Sequence, residues 1–221
     1  KNYGVDLIGG DTTSSNKGLV ISITAIGSAK KEKIVKRSGA KINDLIVTTG
    51  FLGNAYLGLQ VLEREKQVFL VNPKSNPDLS KYKELIERQL KPEARNDIIS
   101  FFHENSIIPT AMIDISDGLS SEIIHICNSS KVGCQLFEDK MKFSDLFKET
   151  CEEFKLEPTT IALSGGEDYE LLFTINQNDY KKIKDDNKFN VIGHITENKD
   201  LFLNLKNKTK TKISSLGWKS F

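Results

Sequence analysis

Two short acidic runs constrain this chain more than any other feature: Asp114-Ile115-Ser116-Asp117-Gly118 and Ser164-Gly165-Gly166-Glu167-Asp168-Tyr169-Glu170. Each places carboxylates beside small residues in an otherwise apolar stretch, where unpaired negative charge is costly. A fold that contains them must bring something positive to meet them. Magnesium with a phosphorylated ligand is the natural candidate for such groups. A third run of the same kind, Gly9-Gly10-Asp11-Thr12-Thr13, stands near the first residue.

The composition is that of a folded domain, with 38% hydrophobic and 28% charged residues among 221. Basic and acidic residues balance, 31 against 30. That balance argues against a protein that holds nucleic acid on a basic face. No apolar stretch reaches the ~20 residues that span a bilayer, and the start shows no signal-peptide pattern. No nucleic-acid or membrane partner is therefore expected. Cys127, Cys134 and Cys151 are odd in number and lack metal-ligand spacing, which reads as free thiols in a reducing, cytoplasmic setting. His103, His125 and His194 are scattered and give no zinc motif. The Lys-rich stretches 30–36 and 206–212 read as solvated edges or loops. The chain opens Lys1-Asn2-Tyr3 and reaches an apolar run at once, as the interior of a longer protein would.

Periodicity sets the expected elements. Strands are expected at Val5–Ile8 and Leu19–Ile26, joined through the turn residues Asn16-Lys17-Gly18 into a hairpin. The polar stretch Lys30–Lys41 reads as an interdomain linker. Asp44–Thr49 reads as a strand ended by Gly50. Helices follow at Gly53–Glu65, at Tyr82–Leu90 (stopped by Pro92) and at Glu93–Glu104 with Ile98, Phe101 and Phe102 inward. Ala111–Ile115 is a buried strand that delivers Asp114 to its end, and Leu119, Ile123, Ile126 and Cys127 then recur at helical spacing. Strands are expected at Gly133–Phe137, Tyr169–Ile175 and Phe189–Ile195, and a helix at Ser144–Phe154. The mixture predicts an α+β fold, an α/β sandwich built on one sheet.

Each candidate site carries two readings. Asp114 and Asp117 sit at one strand-to-helix turn with Ser116. Two acids so close repel unless a cation bridges them or one is protonated, yet Ser116 or Asp117 would also serve as a helix cap. In Gly165-Gly166-Glu167-Asp168, glycines allow close approach of an anion, and successive acids leave a strand on opposite faces. The plain alternative is a tight turn with its acids in water. Gly10 and Asp11 follow the same logic. Arg37 offers a bidentate phosphate partner or is an idle linker residue. Trp218, the one Trp, either packs in the core or stacks on a flat ligand.

The runs GGDTTSS, KRSGAKINDLIVTTG, DISDGLSSEIIHI, ALSGGEDYELLFT and the closing GWKSF, in this order and spacing, resemble thiamine-monophosphate kinase, of the aminoimidazole ribonucleotide synthetase-like superfamily. The resemblance runs from Val5 to Phe221. It implies residues 1–36 as a remnant of an N-terminal ATP- and magnesium-binding domain (hairpin and linker) and residues 37–221 as the C-terminal domain. It implies ATP-dependent phosphorylation of thiamine monophosphate to thiamine diphosphate by direct in-line transfer, with several Mg2+ ions. Asp11, Asp114 and Asp117 match metal ligands, with Asp117 the catalytic position. Gly10, Asp11, Arg37 and Ser116 match ATP contacts, and Glu167 and Trp218 match substrate contacts. The family's first domain carries further metal ligands and the strands of a homodimer, so these residues alone are expected to be inactive. Arg88-Gln89-Leu90-Lys91-Pro92-Glu93-Ala94-Arg95 is a loosened form of the family's basic, proline-containing stretch, and no contact is assigned to it. Two rivals stand beside this reading: another ATP-dependent enzyme of the superfamily (selenophosphate synthetase-like or hydrogenase-maturation-like) and a non-catalytic binding domain.

Overall fold

A computed structural model describes residues 3–214. The chain divides into two units, Lys1–Ile34 and Val35–Phe221.

In the first unit the expected hairpin is corrected. The turn at Asn16–Gly18 is present, with Gly18 at φ 98°, but neither Val5–Ile8 nor Leu19–Ile26 forms a strand. A strand exists only through a hydrogen-bonded partner, and a lone two-stranded ribbon is marginal in water. The β-branched run is correspondingly exposed, from Leu19 at 89% to Ile23 at 88%.

Among the described residues of the second unit, seven strands form one sheet. They are β1 (Leu45–Thr49), β2 (Ala111–Asp114), β3 (Gly133–Phe137), β4 (Leu171–Ile175), β5 (Phe189–Thr196), β6 (Leu201–Asn204) and β7 (Lys210–Lys212). Their order is β2-β4-β1-β5-β3-β6-β7, antiparallel throughout except for the parallel pair β3 and β6. Among the described residues seven α-helices accompany the sheet: α1 (Asn54–Val71), α2 (Lys83–Leu90), α3 (Asn96–Glu104), α4 (Leu119–Ser130), α5 (Asp145–Phe154), α6 (Pro158–Ser164) and α7 (Tyr180–Ile183).

The period-2 alternation of the strands divides the core. Ile46, Leu136, Leu172 and Ile192 pack on one face with Leu119, Ile123 and Ile126 of α4. Val47, Phe173 and Phe189 face the other way, onto Ile98 and Phe102 of α3. A third cluster, Leu57, Val61, Leu85, Phe147 and Ile161, joins α1, α2, α5 and α6. The architecture is the mixed α/β layering expected from the sequence. Four elements escaped that reading: α6, α7, β6 and β7. The linker reading of Lys30–Lys41 also shifts, because Val35 onward belongs to the second unit. There the Lys36 carbonyl accepts from the Met112 N–H at 3.0 Å, and the Gly39 and Ala40 amides donate to Ser130 Oγ.

Candidate active site

The first acidic run lies at the C-terminal end of β2. Ile115 is buried and anchors the turn, while Asp114 and Asp117 are exposed and Ser116 is half-buried. Gly118 is required here. It adopts φ 107°, and a Cβ would stand 2.7 Å from the Leu163 carbonyl. Gly118 is also the N-cap of α4, with no side-chain cap bond. Capping by Ser116 or Asp117 is therefore not how this turn is built. Below it, the buried Glu122 side chain accepts from the Asp117 N–H at 3.1 Å, and its second oxygen is buried without a partner. Burial, aided by the nearby Asp117 charge, lifts the Glu122 carboxyl above the usual carboxylate range.

The second run folds onto the first. α6 ends at Ser164, and three of the next five residues then take left-handed backbone: Gly166 (φ 69°), Glu167 (φ 59°) and Tyr169 (φ 49°). Positive φ in a residue with a side chain costs on the order of 1–3 kcal/mol. Backbone bonds hold it: Glu167 N–H donates to the Ser116 carbonyl at 2.7 Å, Tyr169 N–H to the Ile115 carbonyl at 2.8 Å, and Ile115 N–H to the Glu170 carbonyl at 2.8 Å. Gly166 is the point of closest approach, since a Cβ there would stand 2.6 Å from the Ser116 carbonyl. Two runs about fifty positions apart in the chain thus form one corner.

The corner is strongly negative. Tyr169 donates its hydroxyl to Glu167 at 3.1 Å. Its hydroxyl pKa is raised first by partial burial and then by the charges of Glu167, Asp114 and Asp117. Among the described residues none of these three carboxylates forms an ion pair. Among the same residues no set of three or more His, Cys, Asp or Glu side chains is grouped to hold a metal ion; this turn offers two aspartates.

The alternate acids of the second run point inward. Asp168 is 1% exposed and accepts from the Gly53 N–H at 2.6 Å and the Ala55 N–H at 3.2 Å, at the start of α1. Burial pushes its carboxyl up to about 6 against the pull of those two amides. Glu170 is 3% exposed and accepts from Thr49 Oγ1 at 2.5 Å, from Arg88 at 2.5 Å and from Arg95. The division expected from strand alternation, one acid outward and the next inward, is present. It arises from the left-handed residues, because β4 begins only at Leu171. The sequence reading singled out the Arg88–Arg95 stretch but assigned it no contact. The available signal was Glu170 itself, an acid heading the apolar run of β4 that needs a cation.

Gly10 and Asp11 belong to the first unit, where the Asp11 carboxylate accepts from the Thr12 N–H at 2.8 Å and a Cβ on Gly10 would stand in open space. Arg37 is exposed and follows Lys36, whose carbonyl is bonded to β2. Trp218 lies outside the described residues.

No protein-family model matches the chain. Curated relatives do. A thiamine-monophosphate kinase of Aquifex aeolicus is 32% identical over 220 residues, covering 99% of this chain and 64% of its own length. One from Buchnera aphidicola (subsp. Acyrthosiphon pisum) is 35% identical, covering 99% and 65%, and one from Bacillus subtilis is 36% identical, covering 83% and 53%. The chain is homologous to the thiamine-monophosphate kinases. It spans less than two-thirds of the length of these relatives. Among solved structures, the Aquifex aeolicus enzyme complexed with AMPPCP and TMP superposes with a TM-score of 0.70 at 30% identity, over 86% of this chain and 55% of that one. The E. coli hydrogenase maturation protein HypE superposes at 0.60 with 13% identity, which speaks to the fold alone. The fold is that of the aminoimidazole ribonucleotide synthetase-like superfamily.

Proposed function

We propose that the chain serves the ATP-dependent phosphorylation of thiamine monophosphate to thiamine diphosphate. The observation that carries this reading is the interlocked corner, where Asp114, Asp117 and Glu167 are held by backbone bonds yet left without a described cation. A protein gains nothing in stability from three unpaired carboxylates held close together. A site that receives a cationic ligand does. The homologue's complex with AMPPCP and TMP supports ATP and thiamine monophosphate as the phosphate-bearing ligands that such a cation would join to these carboxylates.

On this reading Asp114 and Asp117 would hold magnesium, Asp11 would be the metal ligand of the first unit, and Asp117 is the catalytic position. Bound magnesium supplies neutralisation of phosphate charge during transfer. Gly10, Asp11, Arg37 and Ser116 meet the nucleotide, and Glu167 and Trp218 the thiamine moiety. No side-chain nucleophile is needed, because the acceptor oxygen belongs to the substrate phosphate and transfer is direct and in line. The chain's own task is positioning. Gly166 and Gly118 let the backbone close up, and Glu122 fixes the Asp117 amide. Residues 1–36 are part of the ATP- and magnesium-binding domain, residues 37–221 form the second domain, and the active enzyme is a cytoplasmic homodimer. Two aspartates at one turn are too few for several metal ions, so the 221 residues alone are inactive.

Thermal-shift and calorimetric titration test the substrate assignment. Thiamine monophosphate with Mg·ATP should stabilise the chain, and unphosphorylated thiamine or a non-cognate phosphate should not. Equal stabilisation by any phosphate would overturn it.

A further inference from the structure

Arg88 closes α2 and Arg95 opens α3, and the short link through Pro92 brings both guanidiniums onto one buried carboxylate, Glu170. Glu170 is the hub of the corner. Its side chain takes Thr49, Arg88 and Arg95, while its backbone carbonyl takes the Ile115 amide. Its carboxylate also fills the space beside Gly50 (φ 57°), where any side chain would collide with it. Arg88 reaches further. The same Nη2 that meets Glu170 donates to the Asp168 carbonyl at 2.9 Å, so it grips the chain on both sides of Tyr169. Arg95 is itself held by Asp97 through two bonds of 2.9 Å, which leave Nη1 for Glu170. The route from the arginines to the acids is therefore short: guanidinium to Glu170, Glu170 to Ile115, and Ile115 to its neighbours Asp114 and Ser116.

We propose that Arg88 and Arg95 are positioning residues that, through Glu170, set the register of the 166–170 loop on the Asp114–Asp117 corner. The consequence for substrate binding rests on the kinase reading above; the mechanical link does not. Arginine is the residue suited to this task. At Arg95 the planar fork serves two carboxylates together, Asp97 through Nε and Nη2 and Glu170 through Nη1, whereas a lysine ammonium is a single compact charge with no fixed fork. Retention of charge without the fork therefore separates positioning from simple neutralisation of Glu170.

The test uses the whole chain with Arg88→Lys, Arg95→Lys and Arg95→Met, followed by residue-resolved amide exchange, thermal unfolding and calorimetry with thiamine monophosphate. The expected result is exchange at Ile115, Glu167 and Tyr169 at least tenfold faster in both lysine variants, with amides of α4 and β5 unchanged and the unfolding midpoint shifted by only a few degrees. Affinity for thiamine monophosphate should fall at least tenfold. Exchange that is unaltered at those three amides, or that quickens in proportion across the whole domain, would overturn the proposal and leave the arginines as a brace for stability alone. Should Arg95→Met not fold, the lysine variants carry the test. Local loosening in a chain whose unaltered form binds no thiamine monophosphate would support the positioning role and count against the kinase reading only.

Discussion

The amide of Glu167 donates to the carbonyl of Ser116 at 2.7 Å, and this bond sews the two acidic runs together. It forms only because Gly166, at φ 69°, lets the chain come within a methyl's breadth of that carbonyl. Gly166→Ala should therefore destabilise the chain by about 1–3 kcal/mol, through both the left-handed backbone and the collision. Gly10→Ala, whose Cβ would stand in open space, should change stability by less than about 0.5 kcal/mol. Urea unfolding of the pair reads the difference directly, and equal effects would contradict the packing at the corner.

Asp168 gives the corner a pH dependence. Its folded carboxyl titrates near 6, above the 3.8 of a free aspartate, so the native state binds the proton more tightly than the unfolded chain. The resulting stabilisation is fully present below pH about 4 and is lost as pH rises through about 6, on the order of 3 kcal/mol in all. Asp168→Asn, which keeps an oxygen for the Gly53 amide, should remove this slope. Denaturation curves between pH 4 and pH 7 should converge or cross for the two proteins; parallel curves would show that Asp168 titrates as an ordinary acid.

Asp114 is exposed and contributes no described ion pair to the fold. Asp114→Asn should leave the unfolding free energy within about 0.5 kcal/mol of the parent. The same change should weaken binding of Mg·ATP at least tenfold by calorimetry. Unchanged affinity would favour the non-catalytic rival.

The three thiols are all buried and unpaired, and burial, with the Glu157 charge, pushes Cys151 up to about 11. A thiol reagent should label none of them in the native chain at pH 8 within minutes and all three in denaturant. Fast native labelling of any of them would show that its cluster opens locally.

The sequence made most of the second unit legible because burial there follows simple periods. Ile46 and Val47 of β1 face opposite sides of the sheet, and Leu119, Ile123 and Ile126 of α4 share one core. Elements that lean on distant partners were not legible. β6 is fixed by its parallel pairing to β3, and β7 is an exposed edge held by β6. The reverse error occurred at Leu19–Ile26, where a strand-like composition meets no hydrogen-bonding neighbour in its unit. At the corner, the acids were visible as residues, but their sorting into exposed Glu167 and buried Asp168 and Glu170 depends on left-handed backbone at Glu167 and Tyr169. Nothing local in those side chains announces that conformation. The Arg88–Glu170–Arg95 cluster spans about eighty positions and becomes visible only once the chain has folded.

Anomalous diffraction from crystals grown with manganese, AMPPCP and thiamine monophosphate tests the central claim most directly. Manganese should appear at about 2.1–2.2 Å from carboxylate oxygens of Asp114 and Asp117, close to the magnesium–oxygen distance, with the nucleotide phosphates beside it. Nucleotide bound elsewhere, with no metal peak at this corner, would contradict the account.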